Sequence, residues 1–134
     1  MSRAFELDLT SFIETNGIVT VFEEGTVPFQ VRRAFLVAAK SGEVRGSHAH
    51  RRCLQLLVAV SGNITVITSD GRTETIYRLT SPTRGLLVPE MVWSTQIFSG
   101  PDPKLLVISD QMYDETDYIR NFAEFTSLID LSSS

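Results

Sequence analysis

The two histidines of the chain are the residues with the clearest capacity for chemistry. His48 and His50 stand one residue apart in the stretch RGSHAHRRCLQ, residues 45–55. A neutral imidazole can accept or donate a proton near pH 7, and it is also a common metal ligand. Successive side chains of a β-strand point to opposite faces, so on a strand this pair projects from one face. The pattern predicts metal binding, proton transfer or simple strand packing.

The residues around the pair resemble the first motif of the cupin family. That motif runs glycine, five residues, His-x-His, four residues, glutamate, six residues, glycine. Gly42, His48, His50 and Gly62 fall on those positions, and Gln55 stands where the glutamate would be. The side-chain amide of Gln55 is neutral, so the anionic oxygen that a metal prefers is missing.

The second half of a cupin metal site is also missing from the sequence. In the second cupin motif, a histidine usually follows a proline by five residues, and counting from Pro89 reaches Ser94. The chain has no third histidine, whereas a catalytic metal normally has three protein ligands. We therefore expect neither a metal nor another cofactor. A metal-dependent cupin oxygenase or epimerase remains an alternative.

A longer resemblance points to one cupin family. RGSHAHRRCLQ is similar to the signature R-G-x-H-A-H-(K/R)-x-x-x-Q of the sugar 3,4-ketoisomerases, in which glutamine at position 55 is the rule. The similarity continues through VPFQVRRAFLV, VSGNITVITSDG and GLLVPEMVWSTQIFS. It ends in the tail YDETDYIRNFAEF, which resembles Y-x-E-x-D-Y-I-R, and so covers nearly the whole chain.

This resemblance implies both a fold and an activity. The family has a jelly-roll fold, forms homodimers that often exchange N-terminal strands, and needs no metal. Its members convert dTDP-4-keto-6-deoxyglucose into a 3-keto sugar for deoxyaminosugar biosynthesis. The implied function is a metal-independent 3,4-ketoisomerase that transfers protons through an enediol.

One departure from the family pattern supports an alternative function. Many members carry a tyrosine in an R-V-Y-Y stretch, where this chain has Arg33, Ala34, Phe35 and Leu36. Either the hydroxyl of that tyrosine is dispensable, or Tyr77 or Tyr113 supplies a hydroxyl in its place, or the isomerase activity is altered. In the last case, the chain would be a non-catalytic nucleotide-sugar-binding module.

The expected site contains both histidines and four substrate-binding residues. We assign His50 as the base that acts on carbon and His48 as the proton relay between oxygens, with the reverse kept as an alternative. The forked guanidinium groups of Arg33 and Arg45 suit a diphosphate, unless they are solvated edge charges. Gln55 suits a sugar hydroxyl. Trp93 would stack on the sugar or thymine, or else belong to the core.

The elements that must position these residues are short and rich in β-formers. Ser61-Gly62 is expected to separate two strands, and Ser69-Asp70-Gly71-Arg72 to form a hairpin. Near the end, the spacing of aromatic residues predicts a helix over 115–130, capped by Thr116 or Asp117. The predicted strands are 17–22, 33–39, 54–60, 63–68, 73–79, 85–88, 92–98 and 104–110. The fold class is therefore all-β, a cupin-type jelly-roll β-barrel with a short C-terminal helix, in a single domain over 1–134.

Composition limits the partners of the protein. The 134 residues are 43% hydrophobic and 21% charged, with a net charge of −4, which disfavours nucleic-acid or anionic-membrane binding. There is no apolar run of about 18 residues, and acidic residues interrupt the N-terminus, unlike in a signal peptide. Cys53 is the single cysteine, either a nucleophile or a packed thiol, and fits a reducing compartment. We expect a cytoplasmic homodimer.

Overall fold

The computed structural model describes residues 3–132, which are mostly β-structure. Strand accounts for 55% of these residues and helix for 11%, as expected for an all-β fold with one short C-terminal helix. A 3₁₀ turn spans Glu115–Asp117, and helix α1 spans Phe122–Ser132. The strands are β1 (Phe5–Asp8), β2 (Ser11–Glu14), β3 (Gly17–Thr20), β4 (Arg33–Ala38), β5 (Val44–His50), β6 (Gln55–Ser69), β7 (Glu74–Leu79), β8 (Arg84–Val88), β9 (Trp93–Ser109) and β10 (Tyr118–Ile119).

Eight of these strands form one antiparallel sheet. Its hydrogen-bonded order is β1-β8-β6-β9-β5-β10, with β4 added on β9 and β7 on β6. Strands β2 and β3 form a separate two-stranded sheet. Within residues 3–132 the pairing runs from β1 to β10 without closing on itself, so the expected barrel is an open one. The predicted single domain over 1–134 stays a prediction, and its residues 1–2 and 133–134 lie outside the described part.

Two long strands replace four of the predicted short ones. The runs 54–60 and 63–68 belong to β6, and the runs 92–98 and 104–110 belong to β9. The expected separation at Ser61-Gly62 is therefore wrong, because β6 continues through these residues and keeps β9 as its partner while the register shifts. Gly62 has a φ of +66°, and a Cβ on it would lie 2.7 Å from Pro103 Cα. Only glycine permits this close approach of the two strands at the irregularity.

The core lies on both faces of the central strands. Leu57 and Phe98 belong to the larger cluster of buried residues, and Leu56 and Ile108 belong to a second one. Residues 55–59 of β6 are all buried. Because neighbouring residues of a strand point to opposite faces, both faces of β6 are covered here. Full burial of a leucine side chain stabilises the fold by roughly 1.5–3 kcal/mol. This double burial makes the β6–β9 pair a rigid frame for the neighbouring β5.

The hairpin predicted at Ser69-Asp70-Gly71-Arg72 is confirmed. Strands β6 and β7 pair with Ser69 opposite Glu74. Asp70 Oδ1 accepts hydrogen bonds of 2.9 Å from the amides of Arg72 and Thr73, and these bonds lower the pKa of Asp70. Gly71 has a φ of +97°, which a residue with a side chain rarely adopts.

The tail differs from the predicted helix over 115–130. Asp114 caps the short 3₁₀ turn through the Thr116 amide, and the chain then pairs with β5 before α1 begins. Neither Thr116 nor Asp117 caps α1; instead, Asn121 Oδ1 accepts a hydrogen bond of 2.9 Å from the Glu124 amide. Strand pairing therefore outweighs helical spacing in the first half of the tail. Among residues 3–132, no helix combines the length and apolar character needed to cross a membrane.

Candidate active site

A bulge in β5 sets the direction of the histidines. Gly46 and Ser47 have φ values of +80° and +62°, and the pairing with β9 shifts register between Gly46 and His48. A Cβ on Gly46 would lie only 2.8 Å from Gln96 Oε1, so this position needs glycine. After the bulge, His48 pairs with Ser94. The irregular backbone before the pair thus aims the two imidazoles.

The two imidazoles project from the same face, as predicted. Their ring centroids lie 4.9 Å apart, and the ring planes are perpendicular. The side chain of His50 is only 8% exposed, whereas His48 is half-buried. The pair therefore forms two layers, with His50 the deeper of the two.

Asp117 holds the deeper histidine from the tail. Its Oδ2 lies 2.9 Å from His50 Nδ1, and its Oδ1 accepts a hydrogen bond of 2.8 Å from the Arg52 amide. Its backbone carbonyl accepts a hydrogen bond of 2.9 Å from the Arg51 amide. The carboxylate is itself buried. Asp117 was not predicted as a site residue, although it lies in the tail motif that carries the family resemblance.

Burial keeps both histidines neutral near pH 7. Desolvation, followed by the neighbouring His50, lowers the pKa of His48 from 6.5 to about 4. Desolvation also lowers the pKa of His50, although the hydrogen bond and the charge of Asp117 act in the opposite direction. A neutral imidazole has a free lone pair, so each ring can accept a proton.

His48 lies in the wall of a cavity of about 350 Å³. This volume lies in the range of small-molecule sites. A small recess adjoins the cavity and contains His50 and Asp117. The polar groups that line the cavity are Arg33, Arg45, His48, Gln55, Gln96, Tyr118 and Arg120.

The two predicted phosphate-binding arginines both line this cavity. Arg33 stacks on Phe35, with its Cζ 4.3 Å from the ring centroid, and Arg45 is exposed. Neither forms an ion pair with any residue between 3 and 132. Arg120, by contrast, is engaged by Glu115 through two hydrogen bonds of 3.0 Å. Arg33 and Arg45 are therefore the cations available to an anionic ligand.

Of the other two predicted substrate-binding residues, only Gln55 lies at the cavity. Gln55 is buried in its wall, and its side-chain amide has no hydrogen-bond partner within residues 3–132. Trp93 packs against Phe122 and Phe125 of α1, with ring centroids 5.2 and 5.7 Å away. The structure therefore places Trp93 against α1 and outside the lining of the His48 cavity, and its stacking on a sugar or base stays a prediction. Residues 93 and 94 point to opposite faces of β9, and Ser94 occupies the histidine side.

A different tyrosine from the two expected ones lies beside the histidines. The Tyr77 hydroxyl donates a hydrogen bond of 3.0 Å to the Ala4 carbonyl, away from the cavity. Tyr113 is exposed, and its hydroxyl donates to Glu115. The ring of Tyr118 lies 5.0 Å from His48 and 4.5 Å from His50. We missed Tyr118 because its spacing in the sequence was assigned to a helix, whereas it pairs with His50 across β10 and β5.

One group of metal-ligand side chains occurs within the described part of the chain. It consists of His50, Cys53 and Asp117, whose ligand atoms all lie within 4.8 Å of one another. Burial, followed by the nearby charge of Asp110, raises the pKa of the Cys53 thiol to about 11, and a metal binds the thiolate. A metal here would also compete with Asp117 for Nδ1 of His50. The chemistry of these donors therefore disfavours a metal, and the protonated thiol is not a nucleophile.

Comparison with known proteins identifies the family. The family model described as "FdtA: WxcM-like, C-terminal" matches residues 4–130. The chain belongs to the FdtA family. A relative of the FdtA chain, the TDP-4-oxo-6-deoxy-alpha-D-glucose-3,4-oxoisomerase of Aneurinibacillus thermoaerophilus, is 34% identical over 125 residues. The alignment covers 92% of this chain and 90% of the relative.

Solved structures agree with the FdtA assignment. A 3,4-ketoisomerase from Helicobacter canadensis superposes with a TM-score of 0.89 at 26% identity, covering 95% of this chain and 97% of the other. The sugar 3,4-ketoisomerase QdtA from Thermoanaerobacterium thermosaccharolyticum, solved in complex with TDP, gives 0.91 at 25% identity, with 96% of each chain covered. These matches confirm the predicted fold and the predicted kinship with sugar 3,4-ketoisomerases.

Proposed function

We propose that this FdtA-family chain is an isomerase that moves the carbonyl of dTDP-4-keto-6-deoxyglucose from C4 to C3. The observation that carries the proposal is a pair of neutral imidazoles, with His48 in the wall of a cavity and His50 in the adjoining recess, beside two arginines that form no ion pair within residues 3–132. The name of the Aneurinibacillus relative, an oxoisomerase of this sugar nucleotide, supports the substrate. The complex of QdtA with TDP supports a thymidine nucleotide.

The reaction needs two kinds of proton transfer. The proton on C3 must leave, an enediol must form, and C4 must receive a proton from the same or another group. A second proton must move from the oxygen on C3 to the oxygen on C4. Two neutral imidazoles on one face can divide these tasks, because each can accept a proton and return it.

The layering of the two histidines supports a specific division of these tasks. His48 lies in the cavity wall and is therefore placed to meet a carbon of the sugar. His50 lies deeper, in the adjoining recess. We assign the carbon proton to His48 and the oxygen proton to His50, which is the alternative that the sequence left open.

Substrate binding is assigned to the remaining polar groups of the cavity. Arg33 and Arg45 would hold the diphosphate, because neither is neutralised by a carboxylate of residues 3–132 and guanidinium groups bind phosphate oxygens in pairs. The side-chain amide of Gln55, which has no hydrogen-bond partner within residues 3–132, would bind a sugar hydroxyl. Tyr118 would supply the hydroxyl that position 35 lacks.

A homodimer is part of the same proposal. The β2–β3 sheet exposes the apolar side chains of Phe12, Ile13, Ile18 and Val19, of which Ile13 is 71% exposed. Neither strand pairs with the eight-stranded sheet. A second copy of the chain that exchanges or packs this hairpin would bury these side chains. We also propose a cytosolic location, which the single unpaired Cys53 supports.

An isomerisation assay tests the proposed function. Purified protein is incubated with dTDP-4-keto-6-deoxyglucose, with and without exhaustive EDTA treatment, and the sugar is followed by NMR. We expect a 3-keto product at the same rate in both samples. Binding without turnover would favour the nucleotide-sugar-binding module that the phenylalanine at position 35 suggests. Loss of activity with EDTA and its return with a divalent metal would overturn the metal-independent mechanism.

A further inference from the structure

The bond between His50 and Asp117 has a consequence for the role of His50. We infer that Asp117 is a positioning residue that holds His50 as the Nδ1–H tautomer, so that its Nε2 accepts the proton of a substrate hydroxyl. This inference rests on the proposed function, and it adds a residue and a hydroxyl-binding position to it.

Hydrogen bonds to the backbone hold Asp117 in place. Its own amide donates a hydrogen bond of 3.0 Å to the Asp114 carbonyl, and its carbonyl accepts one from the Arg51 amide. One carboxylate oxygen accepts from the Arg52 amide, which leaves the other for His50. The backbone at the end of β5 and the tail thus hold the carboxylate in one orientation. A carboxylate fixed in this way orients the ring to which it is bonded.

The hydrogen bond to Asp117 fixes the tautomer of His50. Asp117 Oδ2 lies 2.9 Å from Nδ1, and an ionised carboxylate only accepts hydrogen bonds. Nδ1 of the neutral ring therefore carries the proton, and Nε2 has the lone pair. Nε2 is buried and has no hydrogen-bond partner among residues 3–132. A buried polar atom without a partner is costly, so this atom is suited to a ligand group that donates a hydrogen bond.

The free lone pair of Nε2 selects a ligand group that donates a hydrogen bond. A hydroxyl can donate to a lone pair, whereas a carbonyl oxygen can only accept. The recess of His50 shares Arg33, Gln55 and Tyr118 with the larger cavity, so a sugar in that cavity lies next to it. The rings of His48 and Tyr118, which both line the larger cavity, lie 4.9 and 4.5 Å from the ring of His50. In the proposed substrate, this hydroxyl is the one on C3.

In the proposed isomerisation, each proton and electron pair that leaves one atom of the sugar returns to another. His48 takes the proton from C3, the electrons of that bond form the C3–C4 double bond, and the C4 carbonyl electrons move to its oxygen. Nε2 of His50 takes the proton from the oxygen on C3 and releases it to the oxygen on C4. The C3 carbonyl then forms as the double bond takes the proton back from His48 at C4. Asp117 stabilises the transient imidazolium of His50 and is unchanged.

Nitrogen NMR of the full-length protein, labelled in its histidines, tests the tautomer directly. We expect protonated Nδ1 and bare Nε2 for His50. Addition of dTDP-glucose, an unreactive sugar nucleotide with hydroxyls on C3 and C4, should shift the Nε2 resonance, whereas dTDP alone should not. A proton on Nε2, or an equal response to both nucleotides, would overturn the inference even if the protein is an active isomerase. These nitrogen resonances do not depend on turnover, so they test the tautomer even if the protein is not an isomerase.

A matched pair of variants tests the role of Asp117 in turnover. Asp117→Asn preserves the size of the side chain but weakens the hold on the tautomer, and we expect kcat to fall at least about tenfold with dTDP affinity within twofold. The acid limb of its pH profile should move to lower pH, because Asp117 raises the pKa of His50. Glu124→Gln changes an exposed carboxylate that pairs with Arg51, and should keep the wild-type rate. Equal kcat in both variants and the wild type would overturn the inference.

Discussion

Polar side chains are buried where the tail meets β5, whereas apolar side chains are exposed along β2 and β3. His50 and Asp117 are less than 9% exposed, yet both are charged or polar. In the β2–β3 hairpin, Phe12 and Ile13 are 58% and 71% exposed. Buried polar groups and exposed apolar patches are the two departures from ordinary burial that carry information about function.

The two regions differ in the kind of partner that would complete them. Among residues 3–132, Nε2 of His50 is the buried side-chain nitrogen that has no hydrogen-bond partner, which supports the proposed small ligand group that donates one hydrogen bond. Within residues 3–132, β2 and β3 pair with each other and not with the eight-stranded sheet, which supports the proposed packing of a second copy on their apolar side chains. Substitutions that affect one region and spare the other can therefore separate catalysis from assembly.

The largest expected effect comes from His48→Asn and His50→Asn. Asparagine has similar size but cannot relay a proton, so each variant should lose about 10²–10⁴-fold in turnover. Binding of dTDP should survive, because its proposed diphosphate contacts are to Arg33 and Arg45. Turnover by NMR and affinity by calorimetry measure the two effects. An active His48→Asn variant would remove the assignment of His48 to the carbon proton.

A smaller effect should appear as a dependence of stability on pH. The pKa of His48 is lowered from 6.5 to about 4 by folding, so between these values the unfolded chain binds more protons. The stability is present above pH 6.5 and should fall by about 3 kcal/mol as the pH decreases to 4. Denaturant unfolding of the wild type and of His48→Asn at both pH values measures this. Equal pH dependence in the two proteins would contradict the burial of a neutral His48.

The next effect concerns the anion-binding side of the cavity. Replacement of Arg33 or Arg45 with alanine would remove the proposed charge-assisted hydrogen bonds to the diphosphate, each worth roughly 1.5–3 kcal/mol, so dTDP affinity should fall tenfold to a hundredfold. Arg51→Ala is the matched control, since Arg51 pairs with Glu124 outside the cavity. Calorimetry with free dTDP provides the measurement. Unchanged affinity in both cavity variants would contradict the assignment.

The smallest expected effect concerns the hairpin. Ile13→Asp places a charge on the exposed apolar sheet, and we expect the dimer dissociation constant to rise at least about tenfold, because the burial of an isoleucine is worth roughly 1.5–3 kcal/mol. Ile76→Asp on β7 is the control, since Ile76 is 54% exposed but lies outside the hairpin. Analytical ultracentrifugation measures the mass over a range of concentrations. A monomeric wild type at micromolar concentration would disprove the dimer.

The sequence predicted the elements whose signals are local. The alternating patterns located most strands, and Asp70-Gly71 located the hairpin between β6 and β7, because both depend on neighbouring residues. The tail was only half correct. Tyr118 has helical spacing with Phe122 and Phe125, but it lies in β10, because pairing with β5 satisfies its backbone and places the ring beside the histidines. A local pattern cannot include the energy of a partner strand that lies far away in the chain.

By itself, the sequence determined that the two histidines share a face, that glutamine and serine replace metal ligands, and that the chain resembles sugar 3,4-ketoisomerases. These conclusions depend on residue type and on spacings within a strand, which the period of two preserves in any β fold. Only the tertiary structure decided that Asp117, 67 residues from His50, holds its ring, and that Trp93 lies on the opposite side from Ser94. The reason is physical: contacts between distant segments depend on strand register, and a single bulge or a shift of one residue reverses the face on which a side chain lies.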